Sequence, residues 1–166
     1  MSPKIIVNST PIIALKNTGY LWILKELFGE VIIPDAVYDE VNHKTKLIGD
    51  GDDWIIVRSV SDQSDRKMYK AKLHAGEVEV MILAREIDAD MVIIDDNEAK
   101  KTAKYLGLDV TGTLGVILVA KSRAIITEVA PVIQCLVDDG FYVSDELIRK
   151  VLSAAGENAD GFRFFE

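Results

Sequence analysis

One cysteine, two histidines and four prolines among 166 residues set the first limits. A lone Cys135 rules out an internal disulfide. It falls in an apolar helical pattern with Val132, Ile133, Leu136 and Val137, which predicts a buried, inert thiol rather than a nucleophile. His43 and His74 have no partner at metal-ligand spacing, so both read as loop histidines and a zinc centre is not expected. Long apolar runs are missing too: Leu114 to Ala120, interrupted by Gly115, is far too short to span a bilayer. The opening run Ile5-Ile6-Val7 ends at Asn8, so no signal peptide is expected and the chain reads as cytoplasmic. Basic residues are in deficit, 19 against 27 acidic ones, for a net charge of −8. A broad cationic coat for nucleic acid is thereby excluded, and any such contact must be local or bridged by cations.

What is present is an ordinary globular composition, 49% hydrophobic and 28% charged, in a chain long enough for one domain with a substantial core. The most informative stretch is Met91-Val92-Ile93-Ile94, a short buried strand that runs directly into Asp95-Asp96-Asn97-Glu98. A helical pattern (Ala99, Ala103, Leu106) starts there, so carboxylates sit at a strand-to-helix junction. Ligands of parallel α/β sheets bind beyond such strand ends. Asp95 followed by Glu98 has the spacing of a capping box. Asp96 has no such local use, and adjacent carboxylates repel. It is the first candidate for a metal ligand.

Other strands are predicted at Lys4 to Val7, Val31 to Ile33, Trp54 to Val57 (an edge position) and Asp109 to Thr111. Between them lie amphipathic helices. The first is expected to start at Thr10 and Pro11, the next to run from Tyr20 to Phe28, and a third to open at Pro34. Glu40 flanks the buried stripe of that third helix. Lys44 to Asp53 reads as a surface loop, and Ser61 to Lys72 as a solvated basic helix. Gly76-Glu77 opens the longest clean helix, whose inward stripe is Val80, Met81, Ala84 and Ile87. Glu77 lies on that stripe, whereas Glu79 and Glu86 fall on the opposite side. Helices are also expected at Thr127 to Val137 and Ser144 to Leu152, followed by a polar tail whose Phe162, Phe164 and Phe165 dock on the body or on a partner subunit.

This alternation predicts a three-layer α/β/α sandwich around a mostly parallel sheet, one domain with a core over about 4–122, C-terminal helices over 127–155 and a tail over 156–166. Asn8, Glu40, Glu77 and Asp96 come from four segments, each at a strand end or inward on a flanking helix. Oxygen-only donors suit Mg²⁺ or Mn²⁺ and disfavour zinc. A hard divalent ion in such a cup supports phosphoryl chemistry.

The segments IIVNSTPIIAL, FGEVIIPDAVYDEV, LHAGEVEVMILA, VIIDDNEAKKTAKYLGL and TGTLGVILVAK resemble a PIN domain, most of all the small prokaryotic proteins related to VapC-type toxins. That resemblance implies a metal-dependent ribonuclease that is the toxin of a toxin–antitoxin pair, a homodimer with a cognate antitoxin as partner and no membrane association. It implies catalytic roles for Asp96, Glu77, Glu40 and Asp95. A metal cup of Asn8, Glu40, Glu77, Asp95 and Asp96 follows from it, with the Thr10 hydroxyl behind. Asn8 stands where the family has Asp, which removes a charge from the cup. The alternative is a weakened or inactive PIN-like protein that binds RNA or a protein partner. RNA phosphates are expected on Lys100, Lys101, Lys104, Arg66, Lys67 and Lys70.

Overall fold

Five short strands, all parallel, stand in the order β3-β2-β1-β4-β5: β1 (Ile5–Val7), β2 (Val31–Pro34), β3 (Ile55–Arg58), β4 (Met91–Ile93) and β5 (Val110–Thr111). The computed structural model describes residues 2–61 and 73–164. Among these residues eight helices flank the sheet: α1 (Ser9–Thr18), α2 (Trp22–Phe28), α3 (Asp35–Val41), α4 (Ala75–Glu86), α5 (Asn97–Tyr105), α6 (Thr113–Ser122), α7 (Ala130–Asp138) and α8 (Asp145–Ala154). The architecture is the expected α/β sandwich. Strands covered on both faces must be apolar at every position, and Ile5, Ile6 and Val7 are all buried. The predicted edge position of the third strand is also met.

Chain order reverses between β1 and β4. Strands β1, β2 and β3 step outward one way, and β4 and β5 the other, which places the topological switch point at the carboxyl ends of β1 and β4. Register sharpens this. Val7 pairs with Ile93, and Ile93 with Thr111. The ladder runs one bond further on each side, Asn8 N–H to Ile93 O at 3.0 Å and Ile94 N–H to Thr111 O at 2.8 Å. Asn8, Ile94 and Gly112 therefore leave the sheet side by side, with Asp95 the next residue beyond.

Several helices differ from the periodicity reading. Helix α1 begins at Ser9 with Asn8 in the N-cap position, so Pro11 sits inside the first turn rather than at its start. A missing N–H is tolerated anywhere in that turn, so proline does not mark one start. Helix α7 begins at Ala130, three residues later than expected. Cys135 is exposed, not buried: the stripe of Val132, Ile133, Leu136 and Val137 turns it outward. Glu79, expected to face water, is buried and accepts a hydrogen bond from Ala36 N–H at 3.0 Å, because α4 packs across the start of α3. Phe162 and Phe164 of the tail dock on the body, and Phe165 lies outside the described residues. Phe162 and Phe164 lie 4.9 Å apart, and the Arg149 guanidinium of α8 sits 4.3 Å above the Phe164 ring.

Candidate acidic site at the sheet rim

Glu40 and Asp95 are held by donors from other segments, and Glu77 and Asp96 by backbone N–H groups at the starts of their own helices. Glu40, near the end of α3, accepts from Ser9 Oγ at 2.5 Å and from Gly76 N–H at 2.9 Å, although the residue itself is exposed. This ties α3 to the first residue of α1 and to the first turn of α4. Gly76 is glycine because the carboxylate comes so close: a Cβ there would stand 2.5 Å from Glu40 Oε1. Ser9 is a site residue that the pattern reading missed. The family resemblance had implied Thr10, which is exposed and lines a groove instead. Two hydroxyls in succession give no sequence signal of which one turns inward.

Glu77 is 6% exposed and reaches back to His74 N–H at 2.9 Å, capping the start of α4. His74, read as a loop residue, thus has a structural post through its backbone. Burial raises the Glu77 pKa above the usual carboxylate range. The His74 bond opposes that shift, and the nearby charges of Asp96 and Glu40 add to it. Glu77, Asp96 and Glu40 therefore share one electrostatic environment, although they come from three helices or their caps.

The capping role expected of Asp95 passes to Asp96, which therefore does have a local use. Asp96, not Asp95, is the N-cap of α5 and accepts from Ala99 N–H at 2.9 Å. Asp95 turns toward α6, with Thr113 N–H on Oδ1 at 2.8 Å and Thr113 Oγ1 on Oδ2 at 2.6 Å. Burial raises its pKa, against which the Thr113 bonds and the Lys100 charge act. A Cβ on Gly112 would lie 2.8 Å from Asp95 Oδ1 and 2.9 Å from Lys100 Nζ, so Gly112 is required where these groups crowd the chain. The reason for the exchange is the neighbouring strand. β5 delivers Thr113 beside Asp95, and no local pattern could show that.

Asn8 completes the rim. It is 4% exposed, and its side-chain oxygen Oδ1 is buried without a hydrogen-bond partner. An orphaned buried acceptor costs about 1–3 kcal/mol, so this atom calls for a partner that the chain does not supply. The basic residues separate. Lys100 and Lys104, one helical turn apart, line a groove beside Asp95, whereas Lys101 turns to Glu98 at 3.7 Å. Arg66, Lys67 and Lys70 lie outside the described residues.

A parallel α/β sandwich with acidic residues near its switch point places them where ligands of such sheets bind, beyond the carboxyl ends of the strands. The comparison with known families makes this specific: a model described as a PIN domain matches residues 4–157, and the chain belongs to that family. Membership supports nuclease activity at a general level, and PIN domains generally work with divalent metal ions. No curated protein matches the chain significantly. The donor chemistry fits a divalent ion, because carboxylate and amide oxygens are hard ligands and Asn8 Oδ1 lacks a partner. Among the described residues, no three acidic, histidine or cysteine side chains stand together as a ready-made ion cage. Each carboxylate is turned toward its own backbone or hydroxyl donor, with lone pairs to spare.

The Glu77 shift has a testable sign. A carboxyl whose folded pKa is raised stabilises the fold while protonated and loses that contribution as pH rises through the folded value. At neutral pH the buried charge is thus a cost. Glu77→Gln keeps an oxygen for His74 N–H and removes the charge. Its melting temperature should exceed that of the wild type by a few degrees at pH 8, with the gap closing at pH 4 in parallel thermal melts. A gap that widens on acidification would contradict the assignment.

Proposed function

We propose that the protein is a Mg²⁺- or Mn²⁺-dependent endoribonuclease and that it serves as the toxin of a toxin–antitoxin pair. The observation that carries the reading is the buried Glu77 carboxyl in the shared field of Asp96 and Glu40, beside the unpartnered Asn8 oxygen. Repelling carboxylates and an orphaned acceptor are together satisfied by a cation. Glu40, Glu77, Asp96 and Asn8 would hold it once the carboxylates turn inward, since they do not stand together as a cage in the structure. When bound, such an ion lowers the pKa of a water and offsets charge on the attacked phosphate.

The chain's own residues do the rest. Ser9 and Gly76 fix both oxygens of Glu40, so its direction is set before any ligand arrives. The His74 and Ala99 N–H groups each hold one oxygen, of Glu77 and of Asp96 respectively. Asp95, committed to Thr113, steadies the start of α6, and the Lys100 charge that it senses lies near the rim as a phosphate contact. The cognate antitoxin and the homodimer belong to this proposal.

A second reading is favoured by one observation, the neutral amide of Asn8 in the most buried rim position. An amide oxygen ligates a cation without contributing charge, which fits a weakened enzyme or a PIN scaffold that binds RNA or a protein partner. Labelled RNA incubated with Mn²⁺, Mg²⁺ or chelator separates the two. The enzyme reading expects cation-dependent fragments with 5′-phosphate ends and none in chelator. Intact RNA with both ions, from protein that binds Mn²⁺ in calorimetry, would favour the binding scaffold.

A further inference from the structure

Two grooves meet at Asp95, and a two-residue aromatic ridge divides them. The larger, about 690 Å³, runs between α5, the start of α6 and the start of α8, with Lys100 and Lys104 on one side. The smaller, about 320 Å³, runs along α1 and includes Thr10 and Asn17. Phe141 and Tyr142 line both. Tyr142 is 91% exposed and, among the described residues, has no aromatic or cation–π partner. A tyrosine ring left in water on a ridge between two cavities is a large apolar face with nothing to cover it.

Charge adds a second, independent observation. The chain is strongly acidic, yet Lys100 and Lys104 stand one turn apart on the groove wall. Among the described residues, neither lysine is within salt-bridge distance of a carboxylate, unlike Lys101 and Lys121, which are paired at 3.7 Å and 2.8 Å. Cations spaced along a groove, with an aromatic face at its lip and an apolar floor from Leu114 and Val151, make the combination that holds single-stranded nucleic acid. A duplex would keep its base faces stacked internally and could not use the ring. An acidic helical peptide would use the lysines but would gain less from a tyrosine so fully exposed.

We infer that the Lys100–Lys104 groove and the Phe141–Tyr142 ridge form a subsite for a single-stranded nucleic-acid segment, with phosphates on the lysines and an unpaired base stacked on Tyr142. The subsite deepens the nuclease reading, on which it rests for its position beside the rim. Neither groove is lined by Glu40, Glu77 or Asp96, so the subsite holds nucleotides next to the acidic cluster rather than within it.

The test is fluorescence-anisotropy titration with short labelled oligonucleotides, ribo and deoxyribo, single-stranded and duplex, in chelator. Without a cation no cleavage takes place, so binding is read apart from activity. Tyr142→Ala is expected to weaken single-strand binding about tenfold, as loss of one stacked base does, while Tyr142→Phe stays near the wild type. Lys104→Ala should lower the slope of log K against log salt by about 0.7, the value for one phosphate on a single strand. Equal binding of ribo and deoxyribo strands would mean that bases and phosphates suffice, and a ribo preference would add a sugar contact. Both outcomes support the subsite. Wild-type affinity in Tyr142→Ala, equal weakening in Tyr142→Phe, or duplex bound as tightly as single strands would overturn it. So would folded wild type that binds no strand, which would leave the groove to a protein partner. Binding without cleavage when Mn²⁺ is restored would keep the subsite and defeat the enzyme reading.

Discussion

Asp96→Asn is expected to fold as the wild type does and to lose metal-dependent RNA cleavage by about 100-fold or more. The two expectations come from one geometry. Asp96 accepts Ala99 N–H as the N-cap of α5, and asparagine caps a helix about as well as aspartate. Stability should therefore change by no more than about 0.5 kcal/mol. The negative charge, however, is gone from the field that Glu77 senses. Asp96→Ala is the contrasting variant: it removes cap and charge together and should cost about 1 kcal/mol in addition. Single-turnover cleavage with Mn²⁺, set beside thermal melts, reads both properties. Undiminished cutting by Asp96→Asn would take this carboxylate out of the chemistry and leave it a capping residue.

Asn8→Asp should act in opposite directions with and without a cation. The side-chain oxygen at this position is buried and unpaired already. A carboxylate in its place would be a buried charge near other acids, and in chelator the variant should lose about 1–3 kcal/mol of stability. Added Mn²⁺ should return that loss and more, because ligand binding stabilises the folded state in proportion to affinity. Cleavage should rise at least about tenfold over the wild type, a change equivalent to about 1.4 kcal/mol at the transition state. Melting curves with Mn²⁺ and with chelator, followed by cleavage rates, decide it. If Mn²⁺ shifts both proteins equally and the rates match, Asn8 is not a cation-facing position.

The candidate site was legible in part, and the boundary has a physical cause. Glu77 was recognisable because its place on the apolar stripe of α4 is a helical-period fact. Asp96 was recognisable because a carboxylate ending a buried strand stands out against the run before it. Its capping role was not, since choosing between two adjacent aspartates needed Thr113, a residue 18 positions from Asp95 on the next strand's exit. Ser9 was passed over for Thr10 for the same reason: only the approach of Glu40 from α3 shows which hydroxyl turns inward. Glu79 looked solvated until α3 was laid across it.

By itself the sequence determined the alternation of buried strands and amphipathic helices, the parallel sheet this implies, the lack of zinc-type ligands and the family. The first three follow from local periodicity and composition, which neighbouring residues alone encode, and the family follows from the resemblance carried by five ordered motifs. Tertiary structure decided which polar atoms face one another: the Ser9–Glu40–Gly76 tie, the exchange between Asp95 and Asp96, the unpaired Asn8 oxygen and the ridge of Phe141 and Tyr142 between two grooves. Such meetings depend on strand order and register, and these are set by the packing of the whole chain rather than by any stretch of it.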